Sequence, residues 1–134
     1  MNKKQIITII IASAIGSTVA AVVPRLINGS KEFQINQGLV KACNEIGKNC
    51  PMIIDKYTRL DGAVSGNNEI TYLYTITNLS DKQAINIKDK IIESATAFAK
   101  SKPETLNLLN NGVTMKYCYK NNLGNVLYEF SVNK

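Results

Sequence analysis

Eighteen consecutive uncharged residues, Ile6 to Val23, divide this chain before any other feature does. At about 1.5 Å rise per residue the run IITIIIASAIGSTVAAVV makes a helix roughly 27 Å long, close to the hydrocarbon thickness of about 30 Å. It is therefore expected to span a bilayer rather than join a globular core. Lys3 and Lys4 precede it, no acid does, and only Arg25 follows closely. The amino end is thus expected to stay in the cytoplasm while the rest crosses. The alternative is a cleaved signal peptide: Val19, Ala20 and Ala21 suit a peptidase, but a signal core is usually about 7 to 15 apolar residues. Ala12, Gly16 and Ala20 recur four apart, a small-xxx-small stripe through which two anchors can form a weak dimer. Residues 1 to 25 are read as anchor or signal peptide, 26 to 30 as linker, and 31 to 134 as an extracytoplasmic domain.

Removing the first 25 of 134 residues leaves 109, room for one domain with its own core. The chain has 16 basic and 10 acidic residues, and Lys3, Lys4 and Arg25 belong to the membrane end. The exported part therefore carries 13 against 10, a spread excess with no basic cluster, and nucleic-acid binding is not expected. Histidine is absent altogether, which removes the usual imidazole ligand and the usual general base. No metal and no cofactor is expected.

Three cysteines, Cys43, Cys50 and Cys118, fall in a compartment that permits disulfides. Their spacing, C-x6-C for the first two, is no redox motif.

Phe33, Leu39, Val40, Cys43 and Ile46 recur at roughly helical spacing, predicting a helix over 31 to 47 that Gly47 closes. Met52 to Val64 reads as one strand, followed by the turn Ser65-Gly66-Asn67-Asn68. Residues 69 to 77 show the clearest alternation, with Ile70, Tyr72, Tyr74 and Ile76 on one face. Ser80 with Gln83 forms a capping box ahead of a helix over 82 to 100 carrying Ala84, Ile87, Ile91, Ala95 and Phe98. Pro103 and Gly112 bracket a short helix over 103 to 110, with Leu106 and Leu109 inward. Val113 to Lys120 and Val126 to Val132 alternate as two more strands. The order predicts an α+β domain: an antiparallel sheet of about four strands, cystatin-like, with helices on one face.

With that layout Cys43 sits in the last turns of the first helix and Cys50 just past its end. Such positions can approach the roughly 5.5 to 6 Å between α-carbons that a disulfide needs. A Cys43 to Cys50 bond with Cys118 as a free thiol is expected; a Cys118 that faces the core would come within reach of either.

The one concentrated polar set is Asp55, Thr58, Arg59 and Asp61. On a single strand Asp55, Tyr57, Arg59 and Asp61 share a face, so an arginine lies between two carboxylates. The set is either a ligand-docking edge or a structural polar face near a turn, and in a second reading Asp55, Arg59 and Asp61 serve an exported enzyme. No catalytic residue is assigned. The tyrosines fit core packing better than a base-stacking platform. Asn78-Leu79-Ser80 matches a glycosylation triplet, yet its position at a helix cap explains it.

Residues 49 to 61, Asn-Cys-Pro-Met-Ile-Ile-Asp-Lys-Tyr-Thr-Arg-Leu-Asp, resemble the Pro-x-x-x-Asp-x-x-Thr-Arg-Leu-Asp pattern of small uncharacterised exported bacterial proteins. The likeness continues through Tyr72-Leu73-Tyr74-Thr75, Asn111-Gly112-Val113-Thr114 and Tyr117-Cys118-Tyr119. Members commonly carry a cysteine before the proline of the short helix, where this chain has Ala99, Lys100 and Ser101, which puts a disulfide through that position in question. The pattern is also distantly similar to cystatin-like pilotins of type II secretion, which are lipoproteins, whereas no cysteine follows the apolar run here. The resemblance implies a fold and an envelope address, and brings no activity. The expectation is a single-pass protein of the bacterial inner membrane whose C-terminal domain, in the periplasm or outside the cell, binds or assembles with an unknown envelope protein partner.

Overall fold

The computed structural model describes residues 31–134. The apolar run Ile6 to Val23, its small-residue stripe and the linker lie outside them. Among the described residues no helix is long and apolar enough to cross a membrane.

The elements in order are α1 (Lys31–Lys48), β1 (Met52–Ile53), β2 (Thr58–Gly66), β3 (Glu69–Ile76), α2 (Asp81–Asn86), α3 (Lys88–Ser101), α4 (Pro103–Asn110), β4 (Thr114–Lys120) and β5 (Val126–Val132). They form the expected α+β domain, but the sheet has five strands rather than four, in the order β1-β2-β3-β4-β5. It is mixed rather than antiparallel, because β3 and β4 run parallel, Glu69 opposite Thr114 and Thr75 opposite Lys120. Three helices connect those two strands. A connection of that length lets the chain return to the end it left, which a tight turn cannot do.

The single strand expected over 52 to 64 is a reversal instead. β1 folds back on β2, pairing Met52 with Leu60 and Ile53 with Arg59. The helix expected over 82 to 100 breaks at Ile87, whose ψ near 0° leaves the helical range while its side chain enters the core at 3% exposure. The capping box at its start is formed: Ser80 Oγ accepts from the Gln83 N–H at 3.1 Å, and Gln83 Oε1 accepts from the Ser80 N–H at 2.9 Å. At α4 the pattern differs, since Ser101 Oγ donates to the Phe98 carbonyl and no side chain caps the helix.

One core joins all the helices to one face of the sheet. Ile35, Leu39, Ala42, Cys43 and Ile46 come from α1, Ala84 from α2, Ile91 and Ala99 from α3, and Leu108 and Leu109 from α4. Phe33 and Val40, expected on the inner stripe of α1, point outward, as does Leu106 of α4, whose inward place Leu108 takes. The sheet contributes Leu60, Ile70, Tyr72, Tyr74, Ile76, Met115, Tyr119, Tyr128 and Val132. Its aromatic rings stack across strands, Tyr74 on Tyr119 at 4.8 Å and Tyr119 against Tyr128 at 5.2 Å. Such contacts add about 0.5 to 1.5 kcal/mol each beyond the area they bury. Burial pushes the Tyr117 hydroxyl up to about 12 and raises those of Tyr72, Tyr74, Tyr119 and Tyr128 further. They stay neutral at physiological pH.

Candidate functional site

β2 carries the polar set, and a bulge decides how it is displayed. Leu60 pairs with Tyr74 and Gly62 with the next residue back, Leu73, so Asp61 is the extra residue. A bulge of this kind shifts the alternation by one position. Before it Leu60 faces the helices; after it Ala63 and Ser65 take that side, opposite Tyr72 and Ile70, and Val64 turns out to 52% exposure. Arg59 and Asp61 are thereby left together on the face without helices.

There they meet a third residue that sequence reasoning missed. Arg59 Nε donates to Asp61 Oδ1 at 2.6 Å, Arg59 Nη2 to Thr75 Oγ1 at 3.2 Å, and Thr75 Oγ1 to Asp61 Oδ2 at 2.5 Å. Thr75 stands directly opposite Arg59 on β3. It went unnoticed because it reads as one of several β-branched residues in an alternating strand. The Arg59 and Asp61 side chains keep about a third of their surface exposed, 37% and 30%, so the ion pair is accessible and contributes little stability. Beyond β1, which reaches only Leu60, the Asp61 to Gly66 stretch of β2 has no strand on its outer side among the described residues.

Asp55 and Thr58 do not belong to this group. Asp55 sits in the turn between β1 and β2, where its Oδ1 accepts from the Tyr57 N–H at 2.7 Å, while the N–H groups of Ile54 and Asp55 both donate to the Thr58 carbonyl. The turn is fastened to the end of β3, with Thr77 Oγ1 and Asn78 Nδ2 donating to the Lys56 carbonyl. Thr58 faces the core at 1% exposure. Its Oγ1 and the Asp55 carboxyl are both buried and lie within reach of each other. Burial raises the Asp55 carboxyl above its ordinary value, against the lowering effect of the Tyr57 and Thr58 N–H groups and the Thr58 hydroxyl. The expected face of Asp55, Tyr57, Arg59 and Asp61 is thus split, because the chain reverses between the first pair and the second. Asn78 and Ser80 of the glycosylation triplet are both used by the fold, one in the turn and one in the cap.

The three cysteines are free thiols, Cys43 and Cys118 buried and Cys50 partly so. The expected Cys43 to Cys50 bond is not formed in this structure. Cys43 lies against Ser65 of β2, and Cys50, just past the end of α1, packs partly against the core. Cys118 is on the open face between Leu73 and Glu129. Burial raises all three thiols, Glu129 raises Cys118 further, and reactive thiolate is scarce. Around Cys118 the open face dips into a hollow of about 450 Å³ lined by Thr71, Lys116, Glu129 and Ser131. Lys116 is drawn to Glu69 at 3.0 Å. No group of three or more His, Cys, Asp or Glu gathers closely enough for a metal among the described residues.

The likeness to type II secretion pilotins expected from the sequence is present in the fold. A Pseudomonas aeruginosa protein described as secreted superposes with a TM-score of 0.68 at 14% identity, over 80% of this chain and 96% of the other. The pilotin EpsS of the Vibrio vulnificus type 2 secretion system gives 0.66 at 14% identity, over 79% and 94%. The Vibrio cholerae type II secretion pilotin AspS gives 0.62 at 10% identity, over 78% and 93%. At such identities the likeness is one of fold alone. A search of curated proteins by sequence finds no match. The family described as "Domain of unknown function (DUF8479)" matches residues 34–128, and the chain belongs to it.

Proposed function

We propose that the domain is a non-catalytic binding or assembly module, held at the outer side of the bacterial inner membrane by Ile6 to Val23. It takes an extended segment of an envelope protein along the outer edge of β2. The observation that carries this reading is the unpaired Asp61 to Gly66 edge, set beside the accessible Arg59 and Asp61 pair that the buried Thr75 hydroxyl braces. An exposed strand edge offers main-chain hydrogen bonds to an incoming strand, and neighbouring side chains supply selectivity. Tethering raises the local concentration of the module near its partner. The secreted and pilotin descriptions of proteins with this fold support an envelope setting. The competing enzyme reading needs Asp55 and Asp61 in one pocket, and Asp55 is engaged in a turn while Asp61 is bonded to Arg59 and Thr75.

Photo-crosslinking in intact membranes tests the proposal. A crosslinker at Val64, on the β2 edge, is expected to capture one partner of defined mass, and one at Val40, on the outer side of α1, is expected to capture none. Equal capture from both positions, or none from Val64, contradicts it.

A further inference from the structure

The sheet has a second free edge, and it differs from the first. β5 ends the strand order, and among the described residues no backbone hydrogen bond is made to its outer side. Its seven residues, VLYEFSV, include no lysine and no proline, and Glu129 is the one charge. The register shifts only near its start, where Leu127 has no residue opposite it, and the five residues Tyr128 to Val132 pair with β4 without a break. Sheet edges are usually blunted by lysine, proline or a bulge, because their unpaired N–H and C=O groups otherwise template another strand. The β2 edge carries such a bulge at Asp61; the regular part of β5 carries none of these.

An aromatic row runs to this edge and stops there. Tyr72, Tyr117 and Phe130 stand side by side on the helix-bearing face of β3, β4 and β5, with ring centroids 5.4 and 4.8 Å apart. Phe130 is only partly buried, and its ring neighbours, Tyr117 and Tyr119, both belong to β4. The place beyond it in the row is empty among the described residues.

The side chains of β5 select the strand that fills it. In an antiparallel pair, residues directly opposite share a face, and like charges there are destabilising. Two copies of β5 centred on Glu129 would set two carboxylates against each other. Centred on Ser131, they would leave Tyr128 opposite Lys134, past the end of the strand. Centred on Phe130, they set Tyr128 opposite Val132, Glu129 opposite Ser131, and Phe130 opposite Phe130. That register uses all five regular residues and continues the aromatic row into the second molecule. The strand is thus complementary to itself, as a two-fold interface requires. The axis of such a pairing stands normal to the sheet, so the helices of both copies, α1 and its start included, lie on one side. One bilayer on that side holds both anchors and raises the effective concentration of each copy for the other. The β2 edges stay free at the two ends of the combined sheet.

We propose that the chain forms a two-fold dimer in which β5 pairs antiparallel with β5 of a second copy about Phe130. The placement of the bilayer rests on the anchor reading of Ile6 to Val23; the strand pairing does not. The test uses the full chain in native membranes with a photo-crosslinker in place of the exposed Asn133, which this register sets opposite Leu127 of the second copy. The expected adduct has twice the chain's own mass, and its crosslinked peptide contains Leu127. Ser131→Glu puts a carboxylate opposite each Glu129 and is expected to lower the yield at least about fivefold. Adding Glu129→Lys is expected to restore it. Both side chains are exposed, so the unfolding midpoint should not move; if it does, the identity of the crosslinked peptide decides alone. An adduct with another protein or with phospholipid, a doubled mass joined outside residues 126 to 134, a yield indifferent to Ser131→Glu, or no adduct would each overturn the proposal. Capture from Val64 that persists without the Asn133 adduct would remove this proposal and leave the β2-edge reading standing.

Discussion

The two faces of the sheet are made by the same alternating strands and do different physical work. On the covered face, Tyr72, Leu60, Ile70 and Met115 are at most 2% exposed and every helix contributes a residue to the packing. On the open face the neighbours in sequence, Arg59, Asp61, Lys116 and Glu69, remain in contact with water and hold one another by ion pairs. Burial of apolar area carries the stability of such a domain, whereas accessible ion pairs add little to it. On the proposed function, stability and recognition are therefore separable: substitutions on one face should unfold the protein, and substitutions on the other should leave it folded and change what it binds.

The largest expected effect is from Tyr72→Ala, which empties a ring position surrounded by Tyr74 and Tyr117. A loss of about 3 to 5 kcal/mol in chemical denaturation is expected; a loss near 1 kcal/mol would mean that the covered face is loosely packed. Arg59→Ala should cost about 1 kcal/mol or less, because the ion pair it removes is accessible. A cost of several kcal/mol would blur the distinction between the faces.

Asp55 tests the boundary between them through pH. Its carboxyl is raised in the folded state by burial, so the folded protein holds that proton more tightly than the unfolded chain does. The stabilisation this brings is fully present below the unfolded pKa and is lost as pH rises through the folded value. Asp55→Asn keeps an acceptor for the Tyr57 N–H and removes the titration. The stability of the native protein relative to this variant is expected to fall between about pH 3.5 and about pH 7, read from urea midpoints at both. A difference that grows with pH would reverse the sign. The smallest effect belongs to Tyr72→Phe: the Tyr72 hydroxyl is buried with no hydrogen-bond partner, so its removal should be close to neutral or slightly stabilising.

The sequence carried much of this where one local rule decided the outcome. Ile70, Tyr72, Tyr74 and Ile76 alternate without interruption, and all four are buried. Ser80 and Gln83 cap α2 through side chains three residues apart. Pro103 and Gly112 bracket α4 because each has a conformational preference of its own. What stayed hidden depends on partners distant in sequence. The reversal at Asp55 reads as continuous strand until the Thr58 carbonyl is seen to bind two N–H groups from the preceding residues. The bulge at Asp61 has no composition of its own, so the outward turn of Val64 and the inward turn of Ser65 were not legible. The parallel pairing of β3 with β4 follows from where three helices carry the chain, and strand alternation is blind to direction. Within the polar set, Arg59 and Asp61 share a face as period-two spacing predicts, while Thr75 entered only through the register of β2 on β3.

The division between a stabilising face and a binding edge is tested most directly by the pair Arg59→Ala and Asp61→Asn, each measured twice: for unfolding free energy, and for crosslinking from Val64 in membranes. Each variant is predicted to unfold within about 1 kcal/mol of the native protein and to lose at least tenfold in crosslinked partner. A fall of several kcal/mol in stability, or crosslinking undiminished in both variants, would contradict it.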